Sequence, residues 1–391
     1  MPAHVRRCDR AEALTMTTLT QERMPEAQHR SRFTGPTLQL LPAAVAENVR
    51  RMRAGGAIMA VVKADGYGHG ALAVASAALA AGAEWLGVTA VSEGARLRES
   101  GITAPVLSWL HPSGIDAELA AADRIDVAVG SVDELAALSD DARMPVRVHL
   151  HLDTGMARGG CPVHDWPALL RLARRGRDAG RIEVVGVMGH LPQADLADPG
   201  ADLPWVMRMR NARDTALRAG FAPLVTHLGA TAAALHDPTS RFDLMRVGAG
   251  LVGIDPAGRA ALAQAGRFTA PVVHSSEAAA GTPIGYGGAH VTDRRTHISV
   301  IGVGYADGIP RELSPSASVE IAGRRHRIVG RVSMDQIVVD TGETACPRGS
   351  TATIFGPGGV APSVQEWAEW AGTIPHTIVT GIGARVVRSV A

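Results

Sequence analysis

The chain of 391 residues predicts an α/β protein: an N-terminal (β/α)8 TIM-type barrel followed by a C-terminal all-β domain. The first observation behind this is an alternation of short apolar runs with Ala-rich stretches. It begins near residue 37 and continues for about 230 residues, the rhythm of parallel strands joined by helices. The second is a change of texture near residue 270. Helical periodicity fades there, and β-rich runs alternate with Gly and Pro turns. The third is that the chemically active side chains fall at the ends of the predicted strands, where such barrels carry their reactive groups.

Residues 1–33 read as a flexible N-terminal extension. They carry Arg, Glu, Gln and Thr without an apolar core, unlike a secretory leader, and Met16 and Met24 are alternative starts. Residues 34–270 form the barrel. Its predicted strands are Ala57–Lys63, Trp85–Thr89, Pro105–Ser108, Asp126–Val129, Val146–Leu152, Val184–Gly189, Leu224–His227 and Leu244–Val247. Ala71–Ala81, Ser92–Ser100, Val132–Leu138, Trp166–Arg175 and Leu203–Ala219 have the composition of the intervening helices. On periodicity alone an open, doubly wound sheet is the alternative. Residues 271–391 form the β domain, with His297–Gly302, Ser318–Ala322, His326–Val329, Gln336–Val339 and Ala352–Phe355 as its clearest strands.

Formal net charge is +1, so no electrostatic case exists for nucleic acid or for an anionic membrane. No apolar stretch is long enough to span a bilayer. Cys8, Cys161 and Cys346 are odd in number and far apart, without metal-binding or disulfide spacing. They read as reduced thiols of a cytoplasmic protein, and no metal is expected.

The most informative residue is Lys63, the only lysine among 39 strongly basic residues. Arginine keeps its proton and is no amine nucleophile, whereas a desolvated lysine can condense with an aldehyde. Asp153 and Arg158 follow the fifth barrel strand, His190 and His227 end the sixth and seventh, and Arg246 lies on the eighth. The Gly248-Ala-Gly250 turn after it can bring backbone N–H groups to a phosphate. A lysine nucleophile beside a phosphate cradle implies pyridoxal 5′-phosphate. Each feature has an ordinary counterpart: a surviving surface lysine, a flexible Gly turn around Gly66, Gly68 and Gly70, core histidines, ion-pairing arginines. Their joint placement carries the reading.

Ala60-Val-Val-Lys-Ala-Asp-Gly-Tyr-Gly-His-Gly70 resembles the cofactor-lysine signature of the alanine racemase family. Asp153-Thr-Gly-Met-Ala-Arg158 and Arg246-Val-Gly-Ala249 resemble its carboxylate-binding and pyridine-facing segments. Ile284-Gly-Tyr-Gly287, Gly304-Tyr-Ala-Asp-Gly308 and Gly330-Arg-Val-Ser-Met-Asp-Gln336 resemble its second-domain motifs. The resemblance implies a pyridoxal-phosphate-dependent racemase interconverting L- and D-alanine, with D-alanine for the cell wall. It implies Lys63 as cofactor anchor and base on one face of the substrate. Tyr286, reaching in from the partner of a homodimer with shared sites, would serve the other face. Tyr67, Thr231, Gly248 and Ala249 would hold the phosphate, with Arg246 at the pyridine nitrogen. His190 would bridge Arg246 to Tyr286. Arg158, Met334 and Tyr305 would hold the substrate carboxylate.

Departures from the family pattern concentrate at the same site. His151 stands where many members have a carbamylated lysine that orients the carboxylate-binding arginine, and His151 is expected to hydrogen-bond Arg158 or to leave the site to an anion. Ala230-Thr231 replaces an Asn-Ser pair, and the run after His190 diverges. Ala384 aligns with a tyrosine near the phosphate, and His376 replaces another nearby. These changes motivate one alternative, a racemase of the same fold acting on serine or a specialised-pathway amino acid. A non-catalytic pyridoxal-phosphate-binding protein on a lone barrel is a further alternative, against which the β domain and Tyr286 argue.

Overall fold

The computed structural model describes residues 35–196 and 200–391. The N-terminal extension and Cys8 lie outside the described residues, as do residues 197–199.

The chain begins with a short strand, β1 (Thr37–Leu40), and a helix (Pro42–Arg53) started by proline at its first position. Eight parallel strands follow: β2 (Ile58–Val61), β3 (Trp85–Val88), β4 (Val106–Ser108), β5 (Ile125–Val129), β6 (Val146–His151), β7 (Ile182–Met188), β8 (Val225–His227) and β9 (Met245–Val247). Each matches a predicted run to within one or two residues. They are hydrogen-bonded in chain order from β2 to β8, and β9 returns to pair with β2. The β8–β9 seam is closed by Asp243 N–H to Thr226 O, Arg246 N–H to Gly229 O and Thr226 N–H to Asp243 Oδ2. The open sheet is thereby excluded.

Two apolar layers result. Residues pointing outward from the strands pack against the helices in the main core, for example Ile58, Ala60, Leu86 and Val148. Met59, Val61, Leu107, Ala128, Met188 and Leu244 form a smaller cluster on the opposite strand faces, inside the barrel.

The second sheet has eight strands and is predominantly antiparallel. It opens with β10 (Gly266–Ala278), so residue 270 falls inside a strand rather than between domains. Pro271 in mid-run hides this 13-residue strand from pattern reading. β1 also belongs here. It pairs antiparallel with β10 (Leu38 with Phe268) and parallel with the C-terminal strand Val387–Val390. Two helices absent from the sequence reading close the domain, Val364–Trp370 and Pro375–Thr380. The first carries a Ser363/Glu366 capping box.

The second helix matters for position. Gly68 lies against it so closely that a Cβ there would sit 2.1 Å from Val379 O. Arg388 donates from Nε to Gly68 O at 3.1 Å. The C-terminal domain therefore braces the loop that begins at Lys63.

Candidate active site

Lys63 leaves β2 two residues beyond its end and starts a left-handed turn. Ala64, Asp65 and Tyr67 have φ near +53°, and Gly66 and Gly68 also have positive φ. Left-handed backbone is costly for residues with a Cβ, about 1–2 kcal/mol each. Local bonds hold it: Asp65 Oδ1 accepts from Ala71 N at 2.9 Å, and Glu93 Oε1 accepts from Ala64 N at 3.2 Å. The same Glu93 carboxylate accepts from Thr89 N and Ala90 N. It ties the Lys63 turn to the end of β3.

A cavity of about 580 Å³ opens at the C-terminal end of the barrel strands. It is lined by Lys63, Tyr67, Arg158, His190, Thr231, Arg246, Gly248 and Ala249, which are eight of the eleven residues singled out from sequence. Lys63, Arg158 and Arg246 face one lining carboxylate, Asp195, so the cavity suits an anionic ligand. The Lys63 amine is held below its usual pKa, first by burial and then by the Arg158 charge, with Glu93 opposing. A larger neutral fraction makes it a better nucleophile and base.

Tyr67, Thr231 and the Gly248–Gly250 turn form a cradle. Thr231 Oγ1 accepts from Gly248 N at 3.3 Å and from Gly250 N at 3.2 Å. A Cβ at Gly248 would sit 2.2 Å from the Tyr67 hydroxyl, so only glycine lets the phenol approach this backbone. Burial pushes Tyr67 up to about 12, which keeps it a neutral hydrogen-bond donor. A hydroxyl, a phenol and the tight Gly248–Gly250 backbone around a cationic cavity fit a phosphate ester, and the nearby lysine with its lowered pKa fits an aldehyde. The donor set therefore fits pyridoxal phosphate. A Gly248→Ala variant should displace Tyr67 at an overpacking cost of about 1–3 kcal/mol, and so weaken cofactor binding by roughly fivefold to 150-fold. Equilibrium titration with the cofactor reads this directly.

Arg246 is 6% exposed and donates only to neutral acceptors. One terminal nitrogen bonds His227 Nδ1 (2.8 Å) and His227 O (3.0 Å). The other bonds Gly189 O (2.6 Å), Leu228 O (3.0 Å) and His190 Nδ1 (3.1 Å). Nε–H is thus left as its one uncommitted donor among the described residues. Burial lowers Arg246 to about 10, still charged at neutral pH. His190 is pushed down to about 3 by burial and by Arg246, and is a neutral ring.

Arg158 is exposed on a loop shaped by Asp153, whose Oδ1 accepts from Gly155 N and Ala157 N. Its guanidinium makes no hydrogen bond or ion pair among the described residues. His151 lines the same cavity, and burial holds it down to about 4. The expected His151–Arg158 hydrogen bond is not formed. Two further adjustments concern the altered positions. His376 lines the cavity, its ring 6.2 Å from that of Tyr67, with Nδ1 buried and without a partner among the described residues. Ala384 is exposed and not part of the lining.

Tyr286, Tyr305 and Met334 do not line the cavity. They are 72%, 41% and 53% exposed. Tyr305 N and Ala306 N donate to Ser333 O and Met334 O, and the Tyr286 turn lies against Gly330 and Arg331. The second-domain motifs thus form one exposed group of their own. The expected His190–Tyr286 contact is absent within the chain.

Comparison with known proteins bears on this geometry. Residues 42–256 match the alanine racemase N-terminal domain family and residues 265–390 match the C-terminal domain family. The chain belongs to the alanine racemase family. Family members are isomerases, and similarity extends along almost all of the described residues. The chain is 42% identical over 356 residues to an alanine racemase of Salinispora arenicola, covering 88% of this chain and 95% of that one. It is 41% identical to one from Thermobifida fusca, covering 86% and 91%. Among solved structures, alanine racemase from D-cycloserine-producing Streptomyces lavendulae superposes with a TM-score of 0.86 at 35% identity, covering 92% and 98%. Alanine racemase from Bacillus anthracis with bound L-Ala-P gives 0.81 at 29%, covering 91% and 95%. Family membership accounts for the barrel, the second sheet and the cavity at their junction.

Sequence reasoning missed His149 and Asp126. His149 Nδ1 lies 2.8 Å from His227 Nε2, and its Nε2 lies 3.2 Å from Asp126 Oδ2. Their signal was available, since His149 and Asp126 are polar residues in apolar strands. Among the described residues no helix is long and apolar enough to cross a membrane, and no cluster is set to hold a metal ion.

The buried histidines carry a stability consequence. His69 is held down to about 4 by burial. Between pH 6.5 and 4 the unfolded chain takes up a proton that the fold refuses. Stability is therefore intact above 6.5 and falls as the pH drops to 4, by up to about 1.4 kcal/mol per pH unit per such histidine. His151 and His190 add to the same loss. Denaturant midpoints measured from pH 7 to 4.5 should fall steadily, and a flat profile would contradict the neutral assignment.

Proposed function

We propose that this family member racemises alanine with pyridoxal phosphate, using Lys63 and Tyr286 as bases on opposite faces of the substrate. The observation that carries the reading is the meeting, in one cavity, of a lysine with a lowered pKa, a phosphate cradle and an arginine unpaired among the described residues. When bound, the cofactor supplies the electron sink that makes a substrate Cα–H removable.

Tyr67, Thr231, Gly248 and Ala249 would hold its phosphate. Arg246 would hydrogen-bond the ring nitrogen without giving up its own proton, which limits charge delocalisation and side reactions. Arg158 would take the substrate carboxylate; Met334 and Tyr305, which lie outside their own chain's cavity, would assist from the partner subunit. Lys63 Nζ removes or returns the Cα proton on one face. Inversion needs a second group on the other face. This chain's cavity offers no tyrosine besides Tyr67, which its raised pKa suits to donation. Tyr286 of the partner subunit therefore fills the role, and a cytoplasmic homodimer with shared sites is the working form. D-alanine supply to the cell wall is the corresponding purpose.

A second reading keeps the chemistry and changes the substrate. His151, Ala230 and Asp195 in the lining motivate it. One experiment addresses both: a panel of amino acids incubated in deuterated water. Alanine should show the highest kcat/KM and gain deuterium at Cα in both enantiomers. Faster exchange with another amino acid selects the second reading, and exchange with none sinks both.

A further inference from the structure

Arg246 is a buried cation whose own contacts, among the described residues, include no carboxylate. An uncompensated charge in such a place is costly. The bonds leading away from it run one way. An arginine can only donate, so His227 Nδ1 must accept and its proton must sit on Nε2. His227 Nε2 faces His149 Nδ1 at 2.8 Å, so that nitrogen must accept in turn. The His149 proton then sits on Nε2, which faces Asp126 Oδ2 at 3.2 Å. Asp126 is 3% exposed, and its other oxygen accepts from Arg147 Nε at 2.8 Å.

We propose that Asp126 is the remote counter-charge of Arg246, and that His149 and His227, each locked as its Nε2–H tautomer, are the positioning residues that aim the guanidinium. The three links cross the barrel interior from β5 through β6 and β8 to β9. They commit one terminal nitrogen of Arg246, while backbone carbonyls and His190 commit the other. The direction of the remaining Nε–H is thereby set. The barrel is cut to fit this line. A Cβ at Gly186 would sit 2.2 Å from His149 Nδ1, and the β6–β7 register shifts between Val148 and His149. Trp85 closes the side of the His149 ring, edge-on at 5.6 Å.

What Arg246 points at rests on the cofactor reading above; the tautomers do not. Neutron diffraction from the native holoenzyme should find deuterons on Nε2 of both His149 and His227. A deuteron on Nδ1 of either ring overturns the proposal, whatever the substrate proves to be. Variants test the consequence. Asp126→Asn keeps an acceptor for His149 and should keep both tautomers, with kcat lowered less than tenfold. Asp126→Leu removes it and should shift the 15N resonances of His227. It should also lower kcat by about tenfold to a hundredfold, with KM changed less than twofold. Unchanged His227 resonances in a folded Asp126→Leu protein would also overturn the proposal. If that variant does not fold, Gly186→Ala breaks the same line at His149 and is read the same way.

Discussion

Lys63→Arg is expected to yield a folded protein that neither links covalently to pyridoxal phosphate nor racemises alanine. Activity should fall by at least about 10⁴-fold, because the cofactor anchor and one proton-transfer group vanish together. The substitution keeps length and charge, so it isolates the property that matters, an amine able to lose its proton. The surroundings make the contrast sharp. Burial and the Arg158 charge already depress the Lys63 pKa, and a guanidinium in that place would stay cationic beside Arg158 and Arg246. Absorbance of the reconstituted protein is the primary readout. A persisting cofactor–protein band that survives gel filtration would refute the assignment of Lys63.

Tyr286→Phe should lower racemisation in both directions by about 10²–10⁴-fold while the cofactor still binds. The phenol is 72% exposed and outside the cavity of its own chain, so its effect should be felt across a dimer interface. Mixing makes this quantitative. A dimer of one Lys63→Arg subunit and one Tyr286→Phe subunit would have one doubly damaged site and one intact site. Random reassociation should restore roughly a quarter of native activity, since half the dimers are mixed and half their sites are whole. If each site were built from a single chain, mixing would restore nothing.

The barrel was legible because short, largely apolar runs alternate regularly with helical stretches, several of them Ala-rich. Lys63, Arg158, His190 and Arg246 were legible because barrel strands deliver such residues to one end. β1 was not. Four residues of alternating burial carry too little pattern to announce a strand, and their partners lie more than 200 residues away. His149 and Asp126 were passed over for the opposite reason. They sit inside runs so apolar that the strand assignment absorbed them, and only the closed barrel brings Asp126, His149, His227 and Arg246 into line. His376 reached the cavity through a short C-terminal helix with no readable periodicity. Ala384, assigned by alignment alone, fell outside.

The position of β1 has a practical consequence. The segment between β9 and β10 joins the barrel to the second sheet, yet the barrel's own first residues already form a rung of that sheet. A single cut between residues 255 and 265 would leave two pieces still clasped by backbone pairing on both sides of β1. Separately expressed halves broken there should find each other and reconstitute, which makes this scaffold a natural split reporter whose signal is its own turnover.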